Sequence, residues 1–453
     1  MSLSNLSVAA LGAVDTGVAG HLGSAGSLAA AAIGGQLLSY FVWCCGFLRM
    51  GTTGLSAGAA GRGDRPEGAA VLGRGLALAL GLSALLGLAL AVTLPWLLAL
   101  FGPAPAVRDL AAGYVLIRLA GLPAALAVLA LVGWFVGRGE AGLPLVMILA
   151  TNLVNAGLDL LLALHLGLGL DGLAIASAVA DWTGCLIGLA AALRTLTHER
   201  TPRPGRRALL DWPAIARMAR INGDIFVRTL LLIGGFALFM SLAGRLGTTQ
   251  LAATALLLTF FSMASQGLDG MAYAAESLAG RALAAGDLAG FDRAVRMTGI
   301  WTAALGVLAA LIFALAGPLL IATLTDLDEV RRVAGDLLPY VVALPLIAWA
   351  CFWLDGVFIG VTWSGAMRSA PCSEASCGMT TPIVTAVRVC SIGCMSGYMS
   401  GYVSGYAIGA GGSVRGVPPD AHIGGGRLTV AGATGWAVAA RDAIALFQCA
   451  PPM

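Results

Sequence analysis

Charge is scarce in this chain. Asp, Glu, Lys and Arg together make up 11% of its 453 residues, and all 26 basic residues are arginine because lysine is absent. Hydrophobic residues reach 58%, and the mean hydropathy is +0.89. Since a soluble globular domain carries about 25% charged residues, this composition excludes that class and indicates a protein that crosses a membrane many times.

Other features that the sequence lacks exclude further classes of function. The nine cysteines show neither the spacing of a disulfide framework nor that of a metal site. The arginines are scattered rather than interleaved with aromatic side chains, so we expect no nucleic-acid partner. No nucleophile and base set appears within the apolar segments, so we predict no enzyme and no cofactor beyond a coupling ion. No cleavable signal peptide is visible before the first apolar run.

The apolar runs are too long for the strands of a barrel, so we predict an all-α polytopic membrane protein. Arginine is concentrated in the loops on the side of the N-terminus, whereas the opposite loops contain only Arg108, Arg245, Arg331 and Arg332. This bias predicts a cytoplasmic N-terminus. Ten spans are predicted, six followed by four, at residues 3–19, 28–50, 72–99, 112–136, 143–164, 172–193, 224–243, 251–278, 295–316 and 337–362.

The chain contains an internal duplication. The sequence Gly-His-Leu-Gly at 20–23 returns as Gly-Arg-Leu-Gly at 244–247, and the Leu-Pro pair at 122–123 returns at 344–345. The repeated unit is a bundle of six membrane helices, an arrangement typical of secondary transporters. Because six is even, both lobes enter the membrane in the same sense, which predicts a pseudo-two-fold axis along the membrane normal.

The duplication divides the chain into three parts. We place the N-terminal six-helix lobe at 1–205 and the C-terminal lobe at 206–367, where only four of the six expected helices occur. Residues 368–453 contain no apolar run long enough to span and carry three Ser-Gly-Tyr units of low complexity. We interpret 368–453 as a non-homologous tail that follows a frameshift in the coding DNA.

One group of polar residues lies in the first half. Ionisable side chains inside a membrane helix are costly, so Asp15 in the first helix is a functional candidate. Its counterpart in the second repeat is Phe239, so the duplicated scaffold does not require this acid. Asn155 and Asp159 share one face of the fifth helix, and Ser177 lies at a similar depth in the sixth. These oxygens suit Na⁺, above all at Asp15, Asn155 and Asp159, or a proton shared by crowded carboxylates. The alternative is a cluster of polar side chains whose hydrogen bonds only hold the helices together.

A second polar group lies in the other half. Asp269, Tyr273 and Glu276 repeat on one face of the eighth helix, and Asp355 lies in the tenth. We treat Asp269, Tyr273 and Asp355 as candidates for substrate binding or secondary coupling. Glu276 is interpreted as an interfacial acid in contact with water.

Three arginines also fall within predicted spans. Arg49, Arg118 and Arg228 need partners in the membrane, so pairing with Asp269 or Asp355 is an alternative to a role of those acids in transport. Asn222 and Asp224 are interpreted as a cap and a first-turn acid that open the seventh helix.

Several motifs form an ordered set within residues 2–368 that resembles the multidrug and toxic compound extrusion family, in particular its DNA-damage-inducible-protein-F-like branch. They are Ala13–Gly23, Phe47–Leu55, Asn152–Asp159, Asn222–Ile225 with Arg228, Leu268–Glu276 and Leu354–Gly360.

The resemblance implies twelve helices in two lobes and the export of organic cations or other toxic compounds in exchange for H⁺ or Na⁺. It implies that Asp15 is the family's first-helix acid and that Asn155, Asp159 and Ser177 form its N-lobe cation site, with Ser177 where threonine is usual. The expected protein is a monomer in the lipid bilayer of a bacterial cytoplasmic membrane that moves small cationic drugs or toxins. Two alternatives stay open: a lipid-linked precursor flippase of the same superfamily, and a truncated transporter without function.

The frameshift interpretation predicts a result at the level of the gene. Translating codons 340–453 in all three frames should reveal two further apolar helices that echo residues 143–193, because the duplication requires a fifth and a sixth helix in the second lobe. DNA sequencing of this region is the measurement. If no frame encodes such helices, the frameshift interpretation is wrong.

Overall fold

The computed structural model describes residues 18, 25–100, 104–202, 204–245 and 247–363. The first predicted span, 3–19, and the tail therefore lie outside the described residues, apart from Val18. No strand occurs in the described part of the chain. Its helices are α1 (Ala25–Cys44), α2 (Phe47–Gly61), α3 (Arg65–Leu100), α4 (Pro105–Arg118), α5 (Leu122–Arg138), α6 (Gly142–Leu158), the π-helix π1 (Asp159–His165), α7 (Gly169–His198), α8 (Arg206–Leu209), α9 (Trp212–Arg245), α10 (Thr248–Ala284), α11 (Leu288–Leu324) and α12 (Asp328–Gly360).

Within the described residues, eight helices are long and apolar enough to cross a membrane, or nine if one bent pair counts as a span. Large apolar side chains are widely exposed on them, including Leu315 at 83% and Leu153 at 73%. In a bilayer such surfaces face lipid, where the hydrocarbon replaces a protein core as their surroundings. The prediction of an all-α polytopic membrane protein is confirmed.

Two predicted spans are interrupted. The span predicted at 28–50 continues to Gly61 but turns at Cys45 and Gly46, between α1 and α2. The fourth predicted span is the pair α4 and α5, whose axes differ by 52°. Pro123 lies in the first turn of α5, where its missing N–H removes no helical hydrogen bond. A new helix therefore starts there in a new direction.

The described chain forms two compact units. The first contains residues up to 229 together with 270–296 and 356–363, and the second contains 230–269 and 297–355. In the first unit, Trp134 and Phe135 are fully buried, and the indole of Trp134 donates to the carbonyl of Gly68 at 2.8 Å. In the second unit, Phe260 stacks on Phe313 with ring centroids 5.5 Å apart. These units reflect packing, and the lobe boundary at 205 and 206 stays a prediction.

One end of the first unit collects polar loops rich in arginine. Arg138, at the end of α5, forms ion pairs with Glu140 and Glu199. Arg65 donates to the backbone carbonyl of Glu199 at 3.3 Å, and Arg281 donates to that of Arg138 at 3.2 Å. The loops that follow α2, α5, α7 and α10 therefore meet at the same end, as the predicted topology requires.

Helices α2 and α5 approach closely through glycine. A Cβ at Gly137 would overlap α2, with the backbone nitrogen of Ala57 at 2.8 Å and the Cβ of Ser56 at 2.7 Å. The Ser56 hydroxyl donates to the carbonyl of Trp134 at 2.9 Å. Gly133, one turn earlier, meets α2 in the same way at Arg49 and Thr52. Small residues four apart let helix backbones touch, which is a main source of helix association in lipid.

Gly137→Ala should therefore lower the melting temperature of the purified protein, because the added methyl group forces α2 and α5 apart. Overpacking of this kind costs about 1–3 kcal/mol. Gly81→Ala is the matched control, because a Cβ at Gly81 in α3 meets no atom within 4 Å. Thermal unfolding in detergent measures both. An equal effect of the two substitutions would contradict the packing argument.

Candidate polar site within the membrane helices

Asn155 and Asp159 form the centre of the candidate site. Their spacing places both on one face at the end of α6, and the amide nitrogen of Asn155 donates to Oδ2 of Asp159 at 2.8 Å. Asp159 has no exposed surface, and Asn155 is 5% exposed. A carboxylate and an amide are thus held together inside an apolar helix pair. Asp15, the remaining acid of the predicted set, lies outside the described residues.

Ser177 lies in α7, which packs antiparallel to α6 and π1. Close approaches set the register: Gly188 meets Met147, Gly184 meets Thr151, and Gly172 meets the backbone at Leu162 and Ala163. The register places Asp159 level with Ser177, at the same depth as the sequence predicts. Ser177 is 5% exposed.

The hydroxyl of Ser177 donates to the carbonyl of Leu173 at 3.1 Å, within its own helix. Hydroxyl, amide and carboxylate oxygens are the ligands that a hard cation such as Na⁺ prefers. The three side chains Asn155, Asp159 and Ser177 therefore supply suitable donor chemistry at one level of the membrane.

The backbone changes its winding at Asp159. The segment Asp159–His165 is a π-helix, and the amide of Leu166 donates to the carbonyl of Leu161 at 2.8 Å as it ends. The sequence predicts a continuous helix over 143–164 and gives no sign of this change. Wider helical turns of this type occur often at functional sites. Here the change begins at the candidate acid itself.

Arg118 has a partner that the sequence prediction missed. Its guanidinium contacts Oδ2 of Asp181 at 2.8 Å, and the two side chains are each 22% exposed. Asp181 lies in α7, within the predicted span 172–193. An acid inside a predicted span is the signal by which the sequence could have indicated this partner. The alternative pairing of Arg118 with Asp269 or Asp355 stays a prediction.

Arg49 is held by the second polar group. Two of its nitrogens contact the carboxylate of Glu276, the nearest pair of atoms being 3.0 Å apart, and its guanidinium carbon lies 4.1 Å from the ring centre of Tyr273. Glu276 is 1% exposed and Arg49 is 8% exposed. The interpretation of Glu276 as a solvated interfacial acid is therefore wrong. Helix α10 runs on to Ala284, which places Glu276 deeper than the sequence predicts.

The strength of this buried pair follows from its surroundings. A charge without a partner in a low-dielectric interior is costly, so removing either Arg49 or Glu276 alone would cost about 3–5 kcal/mol. The aromatic face of Tyr273 adds a cation–π attraction to the arginine. Tyr273 thus contacts Arg49 in this structure, whereas its predicted role toward substrate stays a prediction.

The remaining polar candidates have other settings. Asn222 and Asp224 are each 4% exposed and lie within α9. This helix begins at Trp212, ten residues before Asn222. Their interpretation as cap and first-turn residues is wrong, because the helix continues through the Arg-rich segment before them. Asp269 and Asp355 are half-buried in the second unit. Their role in substrate binding or coupling stays a prediction.

Comparison with known proteins identifies relatives along most of the chain. The sequence matches the MatE family over residues 1–161 and 225–367. It is 34% identical over 392 residues to DNA damage-inducible protein F of Escherichia coli, covering 85% of this chain and 83% of that protein. It is also 34% identical over 246 residues to a probable multidrug resistance protein NorM of Deinococcus radiodurans, covering 51% of this chain and 52% of that protein.

Solved structures share the fold. The Vibrio cholerae MATE transporter VcmN in its bent form matches with a TM-score of 0.73 at 20% identity, over 90% of this chain and 94% of VcmN. A crystal structure of a MATE protein in complex with MaL6 matches with a TM-score of 0.73 at 18% identity, over 90% and 92%. The resemblance seen in the ordered motifs is confirmed, and the chain belongs to the MatE family of multi-pass membrane transport proteins.

Proposed function

We propose that this protein is a secondary active antiporter that exports organic cations or other toxic compounds in exchange for H⁺ or Na⁺. The observation that carries the proposal is the buried pair of Asn155 and Asp159, level with Ser177, inside apolar helices. An acid in such a place is retained at an energetic cost. Reversible binding of a counter-ion would use the negative charge of this acid. The proposed cation site consists of Asp15, Asn155, Asp159 and Ser177.

Antiport follows if ion and substrate favour opposite states. A cation or proton at Asp15 and Asp159 neutralises the site, whereas a cationic drug competes for the same negative charge. Each ligand then shifts the balance between two arrangements of the lobes only as far as its affinities for them differ. Asp269, Tyr273 and Asp355 are proposed to take part in substrate binding or in a second coupling step.

The proposed location is a bacterial cytoplasmic membrane, with the N-terminus in the cytoplasm and the protein acting as a monomer. The arginine-rich end of the first unit supports this orientation through the positive-inside rule. Among its relatives, the Deinococcus radiodurans protein is named a probable multidrug resistance protein, which supports small-molecule drugs as the substrate class.

Asp15→Asn should abolish ion-driven export, because the amide keeps the shape of the side chain and removes its negative charge. The measurement is uptake of a cationic dye into everted vesicles under an imposed H⁺ or Na⁺ gradient, compared at equal protein levels. We expect the rate to fall at least about tenfold, to that of empty vesicles, as expected for the loss of an essential charge.

The control for this experiment is Asp171→Asn, which changes an exposed acid at the start of α7. It should export dye at the normal rate. Unchanged export by Asp15→Asn would contradict the assignment. Competition by lipid-linked sugars rather than by dyes would favour the flippase, and no ion-driven flux from folded protein would favour the truncated, inactive alternative.

Ion binding at Asp159 should also be visible without transport. A ligand that binds only the folded state raises its melting temperature, so the wild-type protein should melt at a temperature that depends on Na⁺ or on pH. Asp159→Asn should remove most of that dependence, while Asp171→Asn should keep it. Thermal unfolding in detergent with Na⁺ or K⁺, at several pH values, is the measurement. The same ion response in Asp159→Asn as in the wild type would exclude Asp159 from the site.

A further inference from the structure

The pair of Arg49 and Glu276 joins the two sequence repeats. Arg49 lies in α2, within the predicted N-terminal lobe, and Glu276 lies in α10, within the predicted C-terminal lobe. The two are 227 residues apart in sequence, yet both belong to the first compact unit. Phe47 makes a second contact of this kind, with its ring edge-on to that of Phe226 at 5.6 Å between centroids.

The pair lies toward the arginine-rich end of this unit. At 1.5 Å per residue, Glu276 lies ~12 Å from the end of α10 and Arg49 lies ~18 Å from the end of α2. Both helices end among the polar loops held together by Arg138 and Arg281. The ion pair is therefore buried below the surface that we have proposed to face the cytoplasm.

Glycines allow the helices around the ion pair to approach each other closely. A Cβ at Gly360 would overlap the backbone carbonyl of Glu276, and one at Gly356 would overlap that of Ala272. A Cβ at Gly280 would lie 2.9 Å from the Cβ of Ala57. The end of α12, α10 and α2 thus touch backbone to backbone beside the ion pair, which excludes water from it.

We propose that Arg49, Glu276 and Tyr273 form the cytoplasmic gate of the transport cycle, closed in this structure. This inference rests on the proposed function, because alternating access requires that the two repeats separate at each end in turn. When the repeats separate at this end, the contact between Arg49 and Glu276 breaks and both charged groups become hydrated. When they close, the two-nitrogen contact forms again, and Tyr273 holds the guanidinium in the direction of the carboxylate.

The proposal explains why a costly pair lies at this position. A buried ion pair adds little net stability over a well-packed apolar contact, because both charges lose their hydration. The free energy of the paired charges is thus close to that of the separate, hydrated charges, so the contact can open and close. A fully apolar contact would bias the equilibrium toward the closed state, whereas one unpaired charge would bias it toward the open state.

The test measures opening through the reactivity of a buried cysteine. Ser277 neighbours Glu276 in α10 and is 5% exposed, so Ser277→Cys places a thiol beside the gate with little change in shape. The native cysteines are replaced by alanine, and the protein is placed in nanodiscs with a water-soluble maleimide. Adding Glu276→Gln should increase the alkylation rate about tenfold, a size typical of coupling between two states.

The matched control is Ser83→Cys, at a serine that is also 5% exposed but lies in α3. Its alkylation should not change with Glu276→Gln. The exchange Arg49→Glu with Glu276→Arg should return the Ser277→Cys rate close to its original value. An unchanged rate at Ser277→Cys, or an equal increase at both cysteines, would overturn the gate.

A second variant covers the case in which Glu276→Gln does not fold. Arg49→Lys keeps the charge but cannot contact the carboxylate through two nitrogens, so it should increase Ser277→Cys alkylation more than about twofold, and no increase overturns the proposal. Alkylation requires no substrate. A protein that exports no dye but shows the expected rates would refute the proposed antiport, whereas normal export with unchanged rates would refute the gate alone.

Discussion

The hydrocarbon of a bilayer offers no water, so each charge within these helices needs a partner from the protein itself. The partners found here come from other helices: Asp181 in α7 for Arg118 in α4, and Glu276 in α10 for Arg49 in α2. Each pair therefore also determines which helices are neighbours. An arginine placed without its acid would be more costly than the loss of many apolar contacts.

Apolar burial cannot organise these helices in the same way, because a leucine gains little by leaving lipid for another leucine. Close packing takes its place. Gly133 and Gly137 bring α5 onto the backbone of α2, and Gly356 and Gly360 bring the end of α12 onto α10. The charged pairs and the glycine contacts occur side by side, since close backbones exclude the water that would otherwise separate the ions.

The sequence could predict relations within one helix better than relations between helices. Asn155 and Asp159 share a face because helical geometry fixes a spacing of four, and their hydrogen bond follows from that. Depth is harder to predict, because it depends on where a helix ends. The apolar pattern stops near residue 278, whereas α10 continues to Ala284, and this difference moved Glu276 from the interface to the interior. Likewise, α9 begins at Trp212, before the apolar pattern does. The partner of Arg118 could not be chosen from several acids without knowing which helices pack together.

Each of the two buried carboxylates contacts a nitrogen-bearing side chain, an arginine at Glu276 and an amide at Asp159. Glu276 faces a guanidinium that contacts it through two nitrogens, so a cation could bind there only by displacing Arg49. Asp159 accepts a hydrogen bond from the neutral amide of Asn155, which orients the carboxylate. Under the proposed function, Asp159 exchanges one cation for another, whereas Glu276, paired with an arginine, responds to the separation of helices. The proposals thus use the same carboxylate chemistry for ion binding at Asp159 and for gating at Glu276.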